Sequence, residues 1–164
     1  MKKADKYYRV IYIMYVSNSG TYLLIVKLTQ PTNVIVTSGK TFALCPGYYG
    51  YIGSALNGLK KRVERHLSKN KKLHWHIDYL LQIAPIQSVI YVETNMRIEC
   101  LIAQDLIEKH QYVREFGCSD CRCKSHLIYH DNIREMKNNA MAAFKLRNLE
   151  PIVVHYGNDS SQYQ

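Results

Sequence analysis

Residues 47–67, GYYGYIGSALNGLKKRVERHL, change their hydrophobic period within one short turn. The first part is rich in tyrosine, which favours β-strands, and we predict a strand over residues 48–52. After the glycine-bearing turn, Leu59, Val63 and Leu67 recur at the spacing of one helical face, and the other face is basic. The segment therefore predicts a strand followed at once by a short cationic helix, which Ser54 or Asn57 can cap.

The other segments predict further strands and helices around this unit. Apolar runs bounded by turn residues indicate strands over residues 7–16, 21–28, 34–37, 40–44, 86–93 and 152–155, with a short strand or turn over 126–130. Helical periodicity indicates helices over residues 74–83, 96–110 and 132–146, the second of them capped by Thr94 or Asn95. Because strands and helices do not alternate regularly, we predict an α/β fold of the α+β sandwich kind, a small mixed β-sheet flanked by helices.

The length of 164 residues suits one domain. We expect that domain over residues 1–156, with its core over residues 20–127, and a disordered polar tail over residues 157–164. No apolar run is long enough to span a bilayer, and the basic start of the chain lacks the uninterrupted apolar stretch of a signal peptide. The five cysteines form no obvious disulfide framework. We therefore expect a cytoplasmic protein with no membrane partner.

The formal net charge of +9 indicates a polyanionic partner such as nucleic acid. Solubility is the ordinary reason for a basic surface, but much of this excess is clustered on the predicted cationic helix and its exit. Such a cluster can hold a nucleic-acid backbone without reading its sequence. The residues predicted to contact nucleic acid are Lys60, Lys61, Arg65, Lys69 and Lys72, with His74 and His76 beyond the helix.

Several residues near this unit suit phosphodiester hydrolysis. That reaction needs a group that accepts the proton of water and positive charge at the phosphoryl oxygens. Tyr22 and Tyr51 place phenols on two strands, and Arg62 offers a planar donor fork to a phosphoryl oxygen. His66 follows Arg62 by one helical turn, and Glu99 can hold a hydrated Mg²⁺ at a helix start. Each of these residues alone more commonly has a structural role.

The sequence HWHID, which begins at His74, allows two interpretations. On a helix His74 and Asp78 share a face, whereas His76 points elsewhere. The ordinary interpretation is helix packing, with Trp75 and Tyr79 in a core and His74 as a cap. The functional interpretation places one histidine at a cleft, where it contacts phosphate or assists the leaving group.

The segment CSDCRCKSH contains three thiols and an imidazole, which are ligands that suit Zn²⁺. A zinc site within this segment would use Cys118, Cys121, Cys123 and His126, and distant Cys100 can also contribute. Structural zinc sites usually combine two separated groups of ligands, so a site from one compact segment would be strained. Buried thiols and a redox-sensitive loop are the alternative interpretations.

The ordered set of motifs resembles the GIY-YIG nuclease superfamily. Gly20-Thr21-Tyr22 resembles its first motif, and Tyr51-Ile52-Gly53 matches its second. With HWHIDYLL and FGCSDCRCKSHL in the same order, the chain is most similar to the Uri-type branch of archaea and bacteria, over residues 20–127. The resemblance implies a small nuclease domain that begins with a hairpin bearing two tyrosines.

The resemblance also implies roles for particular residues. Arg62 falls where the superfamily has its essential arginine, and His66 matches a histidine of several homing and restriction members. Glu99 stands where a glutamate holds Mg²⁺ or Mn²⁺ in the superfamily. Tyr22 or Tyr51 would accept the proton of the attacking water, with Tyr22 preferred.

Two features depart from the superfamily pattern. The first hairpin is longer than usual, and we expect it to hold the extra short strands over residues 34–44. The late asparagine of the superfamily is absent, and four residues can replace it. They are Ser119, Asp120, Ser125 and His126.

Together these patterns predict a metal-dependent endonuclease that hydrolyses phosphodiester bonds in DNA, in repair or DNA processing, with Mg²⁺ or Mn²⁺ as cofactor. DNA is expected rather than RNA. Because relatives in the similar branch are fused to DNA glycosylases, the resemblance suggests a DNA glycosylase as a partner. The missing asparagine favours a second hypothesis, a non-catalytic nucleic-acid-binding module, with or without zinc. A zinc-dependent RNA-binding protein is a third hypothesis.

Overall fold

The computed structural model of the protein describes residues 19–156. The predicted strand over residues 7–16 and the predicted disordered tail over residues 157–164 lie outside the described residues. Within 19–156, no helix combines the length and the apolar character that a membrane span requires.

In the described part of the chain, the central sheet has six strands in the order β6-β7-β4-β1-β5-β8. Its strands are β1 (Gly20–Leu28), β4 (Gly47–Ala55), β5 (Ile86–Glu93), β6 (Gln111–Tyr112), β7 (Leu127–His130) and β8 (Ile152–His155). All neighbouring strands pair antiparallel, so the expectation of a mixed sheet was wrong. Strands β4 and β5 run in the same direction and do not pair, because β1 lies between them and is antiparallel to both.

The first hairpin contains an insertion between its two strands. Strands β2 (Thr32–Ile35) and β3 (Thr41–Leu44) pair with each other in a separate two-stranded sheet. Their side chains Val34 and Phe42 are buried, and the Phe42 ring packs against Phe116 at a centroid distance of 4.9 Å. The prediction of two extra short strands inside the hairpin is confirmed.

Helices cover both faces of the large sheet, which confirms the α+β sandwich. Helices α1 (Leu59–Leu67) and α2 (His76–Leu81) share one buried cluster with Tyr22, Leu24 and Tyr51 of the sheet. Helices α3 (Glu99–Ile107) and α4 (Ile133–Lys145) share the other cluster with Leu23 and Ile52. Consecutive residues of a strand point to opposite faces, so β1 and β4 each supply both clusters.

Three predicted helix starts differ from the structure. Gly58 precedes α1 and no side chain caps that helix, so the capping role expected for Ser54 or Asn57 was wrong. Helix α2 begins at His76 rather than at residue 74, and α3 begins at Glu99 rather than at residue 96. The Asn95 side chain instead accepts a hydrogen bond from Ser19 Oγ, and Thr94 Oγ1 accepts one from the Met96 amide. These local side-chain bonds compete with helix initiation.

Candidate active site and metal-binding group

Tyr22 and Tyr51 lie on the two central strands, on the same face of the sheet. Tyr22 pairs with Gly53 across the β1–β4 ladder, and Tyr51 pairs with Leu24. A Cβ atom at Gly53 would lie 2.6 Å from Tyr22 Oη. The glycine of the YIG motif therefore makes room for the Tyr22 hydroxyl to cross β4, which brings the two phenols into one region.

His66 of α1 reaches the Tyr22 hydroxyl. The distance between Tyr22 Oη and His66 Nε2 is 2.7 Å, and both side chains are buried. Burial, together with the nearby charge of Lys71, lowers the pKa of His66 to about 3, so the imidazole is neutral at physiological pH. Its Nδ1 atom has no hydrogen-bond partner among residues 19–156.

Burial also governs the two phenols. It raises the pKa of Tyr22 and the pKa of Tyr51 above the ordinary tyrosine value, because a phenolate is poorly solvated there. The positive charge of Arg62 lowers both pKa values and so opposes the effect of burial. Both tyrosines are protonated in the resting protein, and Arg62 is the charge that favours their deprotonation.

Arg62 and Arg65 lie one turn apart on α1 and have different partners. Both guanidinium groups lie over the Trp75 ring, at 4.4 Å for Arg62 and 4.2 Å for Arg65. Arg62 donates one long hydrogen bond, of 3.3 Å, to the Ser54 carbonyl. Arg65 instead binds Asp78 with two hydrogen bonds of 2.8 Å. Arg62 therefore keeps donors available at the surface, whereas Arg65 is held by the protein itself.

Asp78 is a structural carboxylate. It accepts hydrogen bonds from Arg65 and from the backbone amides of His74 and Trp75, and its side chain is fully buried. Burial opposes ionisation, but these hydrogen bonds outweigh it and lower the pKa of Asp78 to about 2. Because its oxygens are occupied, Asp78 is not available as a metal ligand beside His74.

A cleft of about 770 Å³ opens between α1 and the start of α3. Tyr22, Tyr51, Arg62 and Glu99 all line it, so the structure brings these predicted residues together. Glu99 occupies the first turn of α3 and is partly exposed, and within residues 19–156 its carboxylate makes no hydrogen bond or ion pair. The cleft thus holds the Glu99 carboxylate beside two phenols and the Arg62 guanidinium.

The sequence did not predict that Arg97 and Trp75 line the cleft. Arg97 is exposed and lies two residues before Glu99. It stands alone, outside the cationic helix, so no sequence pattern pointed to it. Of the four candidates to replace the missing asparagine, Ser119 and Asp120 line the cleft and are exposed. Ser125 is buried and its hydroxyl bonds the backbone of Leu127, so it does not reach the cleft.

The other predicted nucleic-acid contacts lie around the same opening. Lys61 and His74 line the cleft and are exposed. His76 also lines it, but its Nδ1 accepts a hydrogen bond of 3.0 Å from the Gly117 amide, and burial lowers its pKa. Three further lysines lie on α1 or just beyond it, half-buried in the first case and exposed in the other two. They are Lys60, Lys69 and Lys72.

A second group of side chains lies at the edge of this cleft and could hold a metal ion. The ligand atoms of Cys100, Cys121, Cys123 and His126 all lie within 4.8 Å of one another. Cys118, which was expected in the group, is not part of it, and Cys100 of α3 takes its place. Cys118 instead accepts a hydrogen bond at its carbonyl from the Cys121 amide, in a turn that turns the segment toward α3. A ligand from a separate helix removes the strain of a site built from nine consecutive residues.

The fold and the site define an α+β protein that has helices on both faces of its sheet and a basic, phenol-lined cleft next to a thiol–imidazole group. The chain belongs to the family described as domain of unknown function DUF123, whose model matches residues 21–149. That match covers the cleft, the metal-binding group and the four helices of residues 19–156. No curated protein and no solved structure matches the chain.

Proposed function

We propose that the protein is a metal-dependent endonuclease that hydrolyses phosphodiester bonds in DNA. The observation that carries the proposal is the 2.7 Å contact that joins the Tyr22 hydroxyl to buried His66 Nε2, because Tyr22 lines a cleft that Arg62 and Glu99 also line. This set supplies a proton acceptor, a relay, positive charge and a carboxylate for a cation. The resemblance of the same residues to the GIY-YIG nucleases agrees with the chemistry.

Tyr22 and His66 act as a pair on the attacking water. Burial makes a free Tyr22 phenolate costly, so the hydroxyl passes its proton to neutral His66 while it accepts the proton of water. Because its pKa is low, protonated His66 is short-lived and gives its proton back to Tyr22, whose hydroxyl passes a proton to the departing oxygen in the cleft. Tyr51 lines the same wall and is the alternative proton acceptor.

Arg62 stabilises the phosphoryl oxygens. Its guanidinium lies 4.4 Å from the centre of the Trp75 ring, and it donates a long hydrogen bond to the Ser54 carbonyl. Stacking restrains the orientation of the donor fork before substrate arrives, which favours transition-state charge over ground-state binding. Arg97, on the other side of the cleft, is the second cation that can contact the scissile phosphate or its neighbour.

Glu99 is the residue that would hold Mg²⁺ or Mn²⁺. Its carboxylate has no protein partner among the described residues and lines the cleft, and a hydrated Mg²⁺ typically binds one or two carboxylates together with substrate phosphates. Asp120, which is exposed at the same cleft, is the second carboxylate available. Such an ion would supply Lewis-acid polarisation of the phosphate.

The surface around α1 would hold the nucleic-acid backbone. Lys61 and His74 lie at the cleft, and Lys69 and Lys72 extend the basic surface beyond the helix. These contacts neutralise phosphates and carry no base recognition, so specificity would come from the shape of the substrate or from a partner. A role in repair or DNA processing, with a DNA glycosylase as partner, fits this arrangement.

The metal-binding group favours Zn²⁺ among the available ions. Three thiolates and one imidazole are the donor set of structural zinc sites, whereas Mg²⁺ and Mn²⁺ prefer oxygen. The protein would then use two metals of different kinds, one on sulfur and nitrogen and one on oxygen. Reduced thiols that bind a metal fit the cytoplasm.

The test is cleavage of labelled single-stranded, duplex and flap DNA with Mg²⁺, Mn²⁺ or EDTA. Glu99→Ala is compared with wild type and with Glu108→Ala, an exposed glutamate at the opposite end of α3. We expect metal-dependent cutting by wild type and Glu108→Ala and a loss of at least about a hundredfold in Glu99→Ala. Equal cutting by all three proteins would contradict the assignment of Glu99. Tight, salt-sensitive binding without any cutting would favour the non-catalytic binding module. The absence of the superfamily asparagine favours the same alternative.

A further inference from the structure

The imidazole of His126 is oriented as a metal ligand. Its Nδ1 lies 3.0 Å from the Ile52 carbonyl, so Nδ1 carries the proton and the lone pair of Nε2 faces the cysteines. Nε2 lies 3.4 Å from Cys121 Sγ and 3.8 Å from Cys100 Sγ. A tetrahedral zinc site, with Zn–S near 2.3 Å and Zn–N near 2.0 Å, separates sulfur from nitrogen by about 3.6 Å. The side chains thus already stand at the separations of a closed site.

The group joins two parts of the chain that belong to different layers. Cys100 directly follows Glu99 in the first turn of α3, and α3 packs on the face of the sheet opposite α1. The other ligands come from the loop between β6 and β7. Arg62 and His66 lie on α1, on the other face of the sheet. The packing of α3 on its own face therefore does not by itself hold Glu99 near these two residues.

The same loop is attached to β4 at the tyrosine motif. The Ile52 amide donates a hydrogen bond of 3.0 Å to the His126 carbonyl, so Ile52 bonds both the backbone and the ring of His126. Gly117 packs so closely on Tyr51 that a Cβ there would lie 2.9 Å from Tyr51 Cε2. The loop therefore has a defined position relative to the phenols, and Cys100 joins it to the helix that carries Glu99.

We propose that Zn²⁺ bound by Cys100, Cys121, Cys123 and His126 ties the start of α3 to β4 and thereby holds Glu99 at the cleft. Each thiol loses its proton on binding, and the neutral imidazole binds through Nε2. The four ligands leave no open position, so this ion is structural, and Cys100 is a positioning residue for Glu99. The positioning role rests on the proposed nuclease function, whereas zinc binding and the tie between α3 and β4 do not.

The experiment compares wild type with Cys100→Ser, Cys123→Ser and the control Cys118→Ser, a cysteine of the same loop outside the group. Zinc content is measured by mass spectrometry of the metals in the purified full chain. We expect about one zinc per chain in wild type and Cys118→Ser, and a loss of most of it in the two ligand variants. The zinc site would be overturned if wild-type protein prepared in the presence of zinc contained none. Equal zinc content in all four proteins would overturn it as well.

Hydrogen exchange of backbone amides measures the tie itself without any reaction. Loss of zinc should accelerate exchange about tenfold or more at the Ile102 amide and at Ile52, while the amides of α4 keep their protection. Unchanged exchange at Ile102 and Ile52 in a zinc-free variant would overturn the tie.

Kinetics measure the positioning of Glu99. Loss of zinc should lower kcat for DNA cleavage with little change in KM, because the basic surface of α1 is not altered. An unchanged kcat in the zinc-free variants would overturn positioning. If wild type cuts no DNA, the nuclease proposal fails, and zinc content and exchange still decide the tie.

Discussion

Tyr22 on β1 lies directly opposite Gly53 on β4, and its hydroxyl occupies the space that a side chain at position 53 would fill. This relationship links the two tyrosine-bearing strands to His66, because the Tyr22 hydroxyl passes over Gly53 on its way to the imidazole. The glycine is therefore required by the geometry of the site rather than by its own backbone conformation.

Gly53→Ala should displace the Tyr22 ring and reduce cleavage. The added methyl group would lie 2.6 Å from the Tyr22 hydroxyl oxygen and 2.7 Å from the ring carbon Cζ. A clash of this kind costs about 1–3 kcal/mol of folding free energy. Gly50→Ala, on the same strand, meets the flexible side chains of Ile128 and Met136 on the other face. Urea unfolding and cleavage assays on both variants should show a loss of activity only for Gly53→Ala. Full activity of that variant would argue against a role for the Tyr22 position.

Tyr22→Phe should lower kcat about 10²–10⁴-fold while the protein stays folded. The variant removes the hydroxyl that contacts His66 Nε2 and leaves the buried imidazole without a partner, which costs about 1–3 kcal/mol of unfolding free energy. Tyr49→Phe is the matched control, since it removes a hydroxyl of another buried tyrosine that lies away from the cleft. That hydroxyl donates a hydrogen bond of 2.7 Å to the Cys45 carbonyl. If both variants cut DNA equally well, Tyr22 does not take part in proton transfer.

Arg62→Gln and Arg65→Gln should separate function from stability. Arg65→Gln leaves the buried carboxylate of Asp78 without its cation and should cost about 2–3 kcal/mol, less than a fully buried pair because Arg65 is 28% exposed. Arg62→Gln should unfold at nearly the wild-type urea concentration yet lose cleavage. The opposite pattern, a stable Arg65→Gln and an unstable Arg62→Gln, would reverse the two assignments.

The protein should become less stable as the pH is lowered, because His66 is buried as a neutral imidazole. The pKa of His66 is 6.5 in an unfolded chain and about 3 in the folded protein, so between these values only the unfolded chain binds the proton. The contribution of buried neutral His66 is fully present above pH 6.5 and is lost as the pH falls toward 3. Urea unfolding at about pH 7.5 and about pH 5 should show a smaller difference in His66→Gln than in wild type. His74→Gln, which changes an exposed imidazole, is the control and should keep the wild-type difference.

Binding of DNA should depend on salt through the lysines around α1. Each phosphate contact that is removed should reduce the slope of log affinity against log salt by about 0.9 on duplex DNA. Lys61→Gln and Lys69→Gln should each weaken binding to all sequences alike, whereas Lys145→Gln, on the opposite layer, should change little. Fluorescence anisotropy at several salt concentrations measures both quantities. An equal effect of all three substitutions would mean that the bound surface lies elsewhere.

Local sequence patterns determined most of the secondary structure. The runs of β1 and β5 are rich in β-branched and aromatic residues and are bounded by turn residues, which favours strands. The change from a tyrosine-rich segment to a spacing of 3.6 residues marks the boundary between β4 and α1. Helix starts were predicted less well, since Thr94 and Asn95 have cap-forming side chains that bond other groups. Strand β6 has only two residues and leaves no pattern to detect.

Pairings between distant segments were decided by the tertiary structure alone. The sequence placed Cys118 with Cys121, Cys123 and His126 because they are neighbours in the chain, but α3 brings Cys100 into that group instead. It suggested Arg65 as a nucleic-acid contact and placed Asp78 on one helical face with His74, but the fold joins Arg65 to Asp78. Residue types and their local order determine which chemistry a chain can perform. Which side chains meet depends on how helices cross a sheet whose strand order no local pattern specifies.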